Sequence, residues 1–459
     1  MKVEGEKRAN PQQGQQRGFN FLDYRPIAKF MKSRWYPGIF QVPVAIVFTF
    51  IVFELLFGPS EAHDNFGTAG TWVLWWPLLP ILLFLFGRLW CTVCPFGFLN
   101  DIVQKFVGNN RPVPKFLKKY GIWVIDFTFL LITWSDHVWG IVESPRGSGI
   151  LLMLLLTAVV LSGAVFERRT WCRYLCFLGG VCGNYSRAGM LKLRATPEIC
   201  QNCTAAACYK GSDQAAGCPM FEFPRTMDDS AECNLCGNCI KSCPNNSITI
   251  QPAVPTSELW SIKKPRLEVA FLAVVIMGIV FVQNITMLDI WNEILAWLET
   301  ETGTTNYYII FTVTFFIAML IPIVLLLVTG WTAKRFNRIS VRENFSKYGY
   351  ALIPLDMAGH IAHNLFHILA EGKTIWYTLM SVFGHEVSHT STALLDDPTI
   401  QALQYILIAF GTLGSIYAAY RISKGAAKPK LVTVVYGILI LVFAVLNLLL
   451  FSMPMSMRM

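Results

Sequence analysis

Charge is what this sequence has least of. Only 15% of its 459 residues are Asp, Glu, Lys or Arg, while 54% are hydrophobic and 14% aromatic. Ordinary soluble domains carry about 25% charged residues, so a soluble globular chain is excluded. Acidic residues are fewer than basic ones, 29 against 38, leaving a net charge of +9. With so little charge in total, that excess reads as membrane topology, and no nucleic-acid partner is expected. Histidine is also scarce: there are seven, and five of them lie between positions 360 and 389. The N-terminal MKVEGEKRANPQQGQQRGFN is polar and expected to be disordered. It shows no apolar core followed by a small-residue cleavage site, the mark of a secretory signal.

Long apolar runs are abundant. A membrane-spanning helix needs roughly 20 apolar residues, and nine stretches qualify, near 38–57, 72–90, 121–140, 149–167, 267–286, 307–330, 349–370, 401–421 and 430–451. Lys and Arg in the short connections mark the cytoplasmic side, and they recur in every second connection. This pattern predicts a multi-pass protein of the cytoplasmic membrane with a cytoplasmic N-terminus and an outer C-terminus. The expected fold class is an all-α bundle of about nine spans with one inserted α+β domain. Its expected divisions are a polar, largely disordered cytoplasmic arm (1–37), a four-span half (38–190), a cytoplasmic insert (191–262) and a five-span half (263–459).

The insert holds eight of the thirteen cysteines. Cys233-x2-Cys236-x2-Cys239-x3-Cys243-Pro244 has the spacing of bacterial ferredoxin cluster ligands, and Cys200-x2-Cys203-x4-Cys208-x9-Cys218-Pro219 is a looser version. In two-cluster ferredoxins the last cysteine of each run serves the other cluster. Cys200, Cys203, Cys208 and Cys243 are therefore assigned to one [4Fe–4S] cluster, and Cys218, Cys233, Cys236 and Cys239 to a second. Four thiolates also suit Zn²⁺, but two crossed runs that each end in Cys-Pro favour iron–sulfur. Metal-ligand spacing in place of disulfide spacing points to a reducing compartment for this part.

The other five cysteines lie where the second and fourth spans leave the membrane, in GRLWCTVCPFGFLND and ERRTWCRYLCFLGGVCGNYSR. A Trp-Cys-x2-Cys-Pro-Phe-Gly turn, a Cys-Arg-Tyr-Leu-Cys turn and a following two-cluster ferredoxin resemble the membrane polyferredoxins, which include the NapH, NosR and CcoG (FixG/RdxA) proteins. The resemblance covers roughly residues 38–250. Here Cys91 and Cys94 are two residues apart where the family usually has three, and Phe177 follows Cys176 where the family has proline. The resemblance implies a cytoplasmic-membrane redox protein that passes electrons between a quinone or cytoplasmic donor and a partner enzyme. Read from the residues alone, Cys91, Cys94, Cys172 and Cys176 have three chemical readings: a further iron–sulfur centre, a copper site of soft ligands, or a dithiol pair. A fourth reading is structural, since buried Cys packs as a small hydrophobe. Cys182 is unassigned.

The seventh span, YGYALIPLDMAGHIAHNLFHILAEG, places Asp356, His360, His363 and His367 within a sector of about 60° at 100° per residue. His385 and His389 follow outside at i, i+4. Ionisable groups inside a membrane helix are costly and mark candidate functional sites. The five imidazoles are candidates for haem b or another metal, Asp356 for a proton or quinone site, and an interhelical hydrogen-bond network is the structural alternative. Glu54 and Asp126 are lesser intramembrane candidates. Trp75, Trp76, Trp90 and Trp139 read as interfacial anchors.

The expected function is electron transfer between cytoplasmic-side clusters and a quinone, haem or partner site toward the outer face. The chain is expected to sit among membrane lipids and redox partner subunits of a respiratory complex. Two alternatives stand beside it: a CcoG-like copper reductase or metal-handling assembly factor, and a membrane anchor that docks a soluble redox enzyme.

Overall fold

The structure is a computed structural model that describes residues 19–385 and 391–453. Within the bilayer every backbone polar group must find an internal partner, so the apolar runs form helices. Among the described residues, seven helical stretches are long and apolar enough to span, against nine expected. They include α2 (Gly38–Phe57), the stretch Phe66–Val107 that contains α3 (Trp76–Phe86) and α4 (Pro95–Val107), and α6 (Pro145–Val165). Between α4 and α6 lies α5 (Lys115–Trp139), and α6 is followed by α7 (Thr170–Tyr174) and α8 (Phe177–Ser186). The remaining spanning helices are α10 (Leu267–Ile285), α12 (Tyr307–Asn337), α16 (Asp397–Ser423) and α17 (Pro429–Ser452). The other two predicted runs are also helical, as α5 and as α14 (Ile353–Ala370). Asp356 and three histidines lower the apolar character of α14, as Lys115, Lys118, Lys119, Asp126 and Asp136 do that of α5.

Short helices appear where loops were expected: α11 (Ile290–Thr302), α13 (Val341–Tyr348) and α15 (Lys373–Val382). Helix α10 is the central one. From Val269 to Val280 every side chain except Phe271 is buried, which is why this helix is hydrophobic on all sides. It packs against α5, α8, α12, α13 and α14, while α14 rests on α3 and α16.

The cysteine-rich insert lies between α8 and α10. Strand β1 (Leu191–Ala195) pairs antiparallel with β4 (Ile248–Pro252), from Leu191–Pro252 to Ala195–Ile248. A two-residue ladder joins β2 (Gly211–Ser212) to β3 (Ala215–Ala216), and α9 (Asn238–Ser242) carries Cys239. The N-terminal arm departs from expectation. Residues 1–18 lie outside the described residues, but α1 (Arg25–Lys32) is helical. Its Met31, together with Tyr36, is buried in the insert's own core with Leu193, Leu235, Ile240, Ile248 and Ile250. A short amphipathic segment of this kind is fixed by residues about 200 positions away, which local patterning does not reveal.

Candidate functional site: three groups of cysteines at one end of the bundle

The insert brings its two sets of cysteines together as crossed quartets. Burial, then the neighbouring thiols of Cys243, Cys200 and Cys203, push the Cys208 thiol up to about 11. Ser247 joins the same group: its hydroxyl lies 3.0 Å from Cys200 Sγ, and its N–H donates to Cys243 Sγ at 3.3 Å. In the second quartet, burial followed by Cys236 and Cys218 pushes Cys233 up to about 12. Burial with Cys218 raises Cys236 to about 11. Cys218, Cys233, Cys236 and Cys239 line one small cavity with Glu222 and Met227. Among the described residues, no three His, Cys, Asp or Glu side chains are grouped so as to hold a single metal ion. Four thiols spread round a cavity suit a cluster better than one Zn²⁺ ion, which needs all its ligands within about 2.3 Å. The site fits [4Fe–4S], whose ligands stand off a larger core.

The two hairpins share one construction. Span α3 breaks at Gly87 (φ +60°) and Arg88, a short helix carries Cys91, and Cys94 is the N-cap of α4. Span α6 ends at Val165, Arg169 (φ +55°) is the N-cap of α7, which carries Cys172, and Cys176 is the N-cap of α8. Helix N-termini favour negative charge, so the two capping positions suit cysteines that serve as ligands. Cys94, Cys172 and Cys176 pack in one cluster with Cys218 of the insert. Cys182, unassigned from the sequence, is fully buried beside Cys91.

Two arginines hold this region together, and the sequence reading missed both. Arg88 and Arg169 are each 2% exposed. Arg88 Nε donates to Cys91 Sγ at 3.4 Å and Nη2 donates to the Cys172 carbonyl at 3.2 Å. Its Nη1 donates to the Ala231 carbonyl and pairs with Glu232, immediately before the cluster ligand Cys233. Arg169 Nη1 donates to the Cys91 carbonyl at 3.0 Å and lies 3.9 Å from Cys172 Sγ, while Nε and Nη2 grip both oxygens of Asp101. Thr92 Oγ1 donates to the Asn234 carbonyl, adding a second bridge from hairpin to insert. The missed signal is the echo around the cysteines: Arg-x2-Cys before each pair and Cys-x2-Gly after it.

Deeper in the bundle, the helix α14 stripe is buried as expected. His360 Nδ1 bonds the Tyr185 hydroxyl at 3.0 Å, His363 Nδ1 bonds Asn284 Oδ1 at 2.8 Å, and His367 Nδ1 pairs with Glu371 Oε2 at 3.2 Å. His360 Nε2 and both Asp356 carboxylate oxygens are buried with no protein hydrogen-bond partner. His385 is exposed beyond the end of α15, away from the stripe, and His389 lies outside the described residues. Tyr185, Asn284 and Glu371 are further members that the sequence reading did not name. Glu54 and Asp126 are buried, and both Asp126 oxygens are without protein partners. Trp75 meets Trp76 and Trp90 at tilted angles, and Trp76 is buried in the bundle core, whereas Trp139 is 63% exposed, so Trp76 is not a surface anchor. Trp75 and Trp76 line an apolar cavity together with Trp72, Phe129, Trp171 and Phe177, and Cys176 is part of the same lining.

Comparison with known proteins locates the same chemistry. Residues 68–114 and 149–195 each match a family described as a 4Fe-4S binding domain, and these stretches contain the two hairpins. YccM of Escherichia coli, named for electron transport, is 24% identical over 209 residues, covering 40% of this chain and 54% of its own. Two uncharacterised proteins of Methanocaldococcus jannaschii are 25% and 24% identical, over 37% and 47% of this chain and 66% and 94% of theirs. This chain thus spans about half the length of YccM and two thirds of the first archaeal protein. No solved structure matches. The class is an iron–sulfur protein with several helices able to span a membrane.

Proposed function

We propose that this chain carries electrons between two [4Fe–4S] clusters in its insert and a third iron–sulfur centre held by Cys91, Cys94, Cys172 and Cys176. The observation that carries this reading is continuity: Cys218 of the second quartet packs with Cys94, Cys172 and Cys176 in one buried cluster. YccM, similar over the same region, is named for electron transport. Each centre would supply one-electron chemistry. The chain's own residues fix their spacing, exclude water from the hairpins and bridge them to the insert through Arg88 and Thr92.

The aromatic cavity beside Cys176 supports a quinone as the membrane-side partner, since it offers apolar walls next to that cysteine. The basic connections support nine crossings with the insert on the cytoplasmic side, and a redox subunit of a larger complex is the matching role. A haem is the second reading for the α14 stripe. The observation favouring it is His360, whose ring is held through Nδ1 while Nε2 stays bare, the way axial ligands are presented. Iron and sulfide analysis of the purified chain tests the main reading. The expected content is about twelve irons, four for each of three cubanes, falling by about four in Cys94→Ser. Zinc in place of iron would defeat it, and the absence of a Soret band would remove the haem reading alone.

A further inference from the structure

The repeat around the hairpins is longer than its cysteines. It reads Arg88-x2-Cys91-x2-Cys94-x2-Gly97 and Arg169-x2-Cys172-x3-Cys176-x2-Gly179. The contacts are reciprocal. Each guanidinium approaches the sulfur of its own hairpin's first cysteine and donates to the carbonyl of the other hairpin's first cysteine. Each also fills the space left by a glycine of the opposite hairpin, Arg169 at Gly97 and Arg88 at Gly179. The result is a two-fold clamp with both positive charges turned inward. Their counter-ions, Glu232 and Asp101, are 43% and 40% exposed, so solvent screens the carboxylates far more than it screens the guanidiniums. Among the described residues, no other cysteine sulfur receives a hydrogen bond from Arg or Lys; Cys200 and Cys243 have a serine instead.

Four thiolates give an iron–sulfur core a net negative charge, and reduction adds one more. Cations buried beside the sulfurs stabilise the reduced form more than the oxidised form, and low local polarity enlarges that difference. Charge and hydrogen bonds to sulfur are among the factors that set cluster potentials. Resting on the hairpin reading above, we propose that Arg88 and Arg169 poise the hairpin centre at a higher reduction potential than the clusters of the insert, so that electrons run from the insert into the membrane. In the step itself, one electron leaves the cluster of Cys218, Cys233, Cys236 and Cys239, oxidising it by one. The hairpin centre gains that electron, with no proton moved and no bond broken. Arg88 and Arg169 act here as positioning residues.

Potentiometric titration of the full chain, followed by electron paramagnetic resonance, tests this. The hairpin signal is identified as the one lost in Cys94→Ser. It is expected to appear at higher potential than the insert signals in the wild-type protein. Arg88→Gln is expected to shift the hairpin equilibrium at least tenfold toward the oxidised form, which is 59 mV for a one-electron couple. The insert signals should not move, and Arg88→Lys should keep most of the wild-type value. A wild-type hairpin midpoint at or below those of the insert overturns the proposal, even if Arg88→Gln fails to assemble. So does an unmoved hairpin midpoint in Arg88→Gln with intact iron. Iron content unchanged by Cys94→Ser would overturn the hairpin site itself, and this proposal with it.

Discussion

At Gly97 and Gly179 the absence of a side chain is the functional feature. A Cβ at Gly97 would collide with the Arg169 guanidinium, and one at Gly179 would stand 2.7 Å from the Cys172 carbonyl oxygen. Overpacking a filled site costs about 1–3 kcal/mol. Here it also displaces a buried cation from its partners. Gly97→Ala is therefore expected to lower Tm and to release iron from the hairpin centre. Gly437→Ala, where nothing lies within 4 Å of the added methyl, should match or exceed wild-type stability. Thermal unfolding with iron counted per chain separates the two outcomes, and a fully loaded Gly97→Ala would count against the clamp. The cysteines were legible in the sequence because ligand type and spacing are themselves the chemistry. The arginines were not, because a basic residue at the end of a span already has a sufficient explanation in membrane topology. Only their equal offset from the two cysteine pairs distinguishes them.

Between elements, the insert is fastened to its surroundings by a few polar contacts. Tyr36 Oη donates to the Leu235 carbonyl at 2.6 Å, Lys32 Nζ donates to Asn246 Oδ1 at 2.8 Å, and Lys241 Nζ donates to the Tyr36 carbonyl at 2.5 Å. Gly237 (φ +80°) lets the backbone come close to the Tyr36 ring. Tyr36→Phe strands a buried carbonyl, at a cost of about 1–3 kcal/mol. Faster amide exchange over residues 231–246, with the bundle unaffected, is the expected signature. On the other side, Arg187 of the segment after α8 meets Asp229 at 2.9 Å. Burial opposes ionisation of Asp229, but the Arg187 charge and the Ala231 N–H outweigh it and hold the carboxyl below its usual range. A carboxyl depressed on folding adds stability that is full above its unfolded pKa and is lost as pH falls through the folded one. Acid should therefore loosen the insert from the bundle below about pH 4, and Asp229→Asn should remove that dependence; proteolysis across a pH series would show both. The long helices were legible from apolar runs, and α14 was legible as a helix with a polar face. Helices α1, α13 and α15 were not, since each rests on a surface supplied by another part of the chain, and α11 is mostly exposed, with only Trp291 buried.

Over the whole molecule, the two halves of the fold depend on iron to different degrees. The insert has a core of eight buried residues, one of them Cys239, and ladders of only five and two residue pairs. Domains with so little buried apolar surface need a staple, and metal binding then contributes directly to folding. The bundle has a continuous core centred on α10, and its hairpins are joined through Arg88 and Arg169 by protein contacts alone. Oxidative removal of iron is therefore expected to unfold residues 191–262 first. Limited proteolysis should cut there only in the iron-free protein, while most helical circular dichroism survives. Cluster-free protein that resists cleavage in the insert would mean that α1 and the Arg187–Asp229 pair suffice to hold it. Helical signal lost in step with iron would mean that the hairpin centre carries the bundle too. The packing favours neither extreme: among the described residues, the bundle core takes in Cys91, Cys176 and Cys182 but not Cys94 or Cys172. Loss of iron should therefore loosen that end of the bundle and leave the α10, α12, α14, α16 and α17 contacts in place.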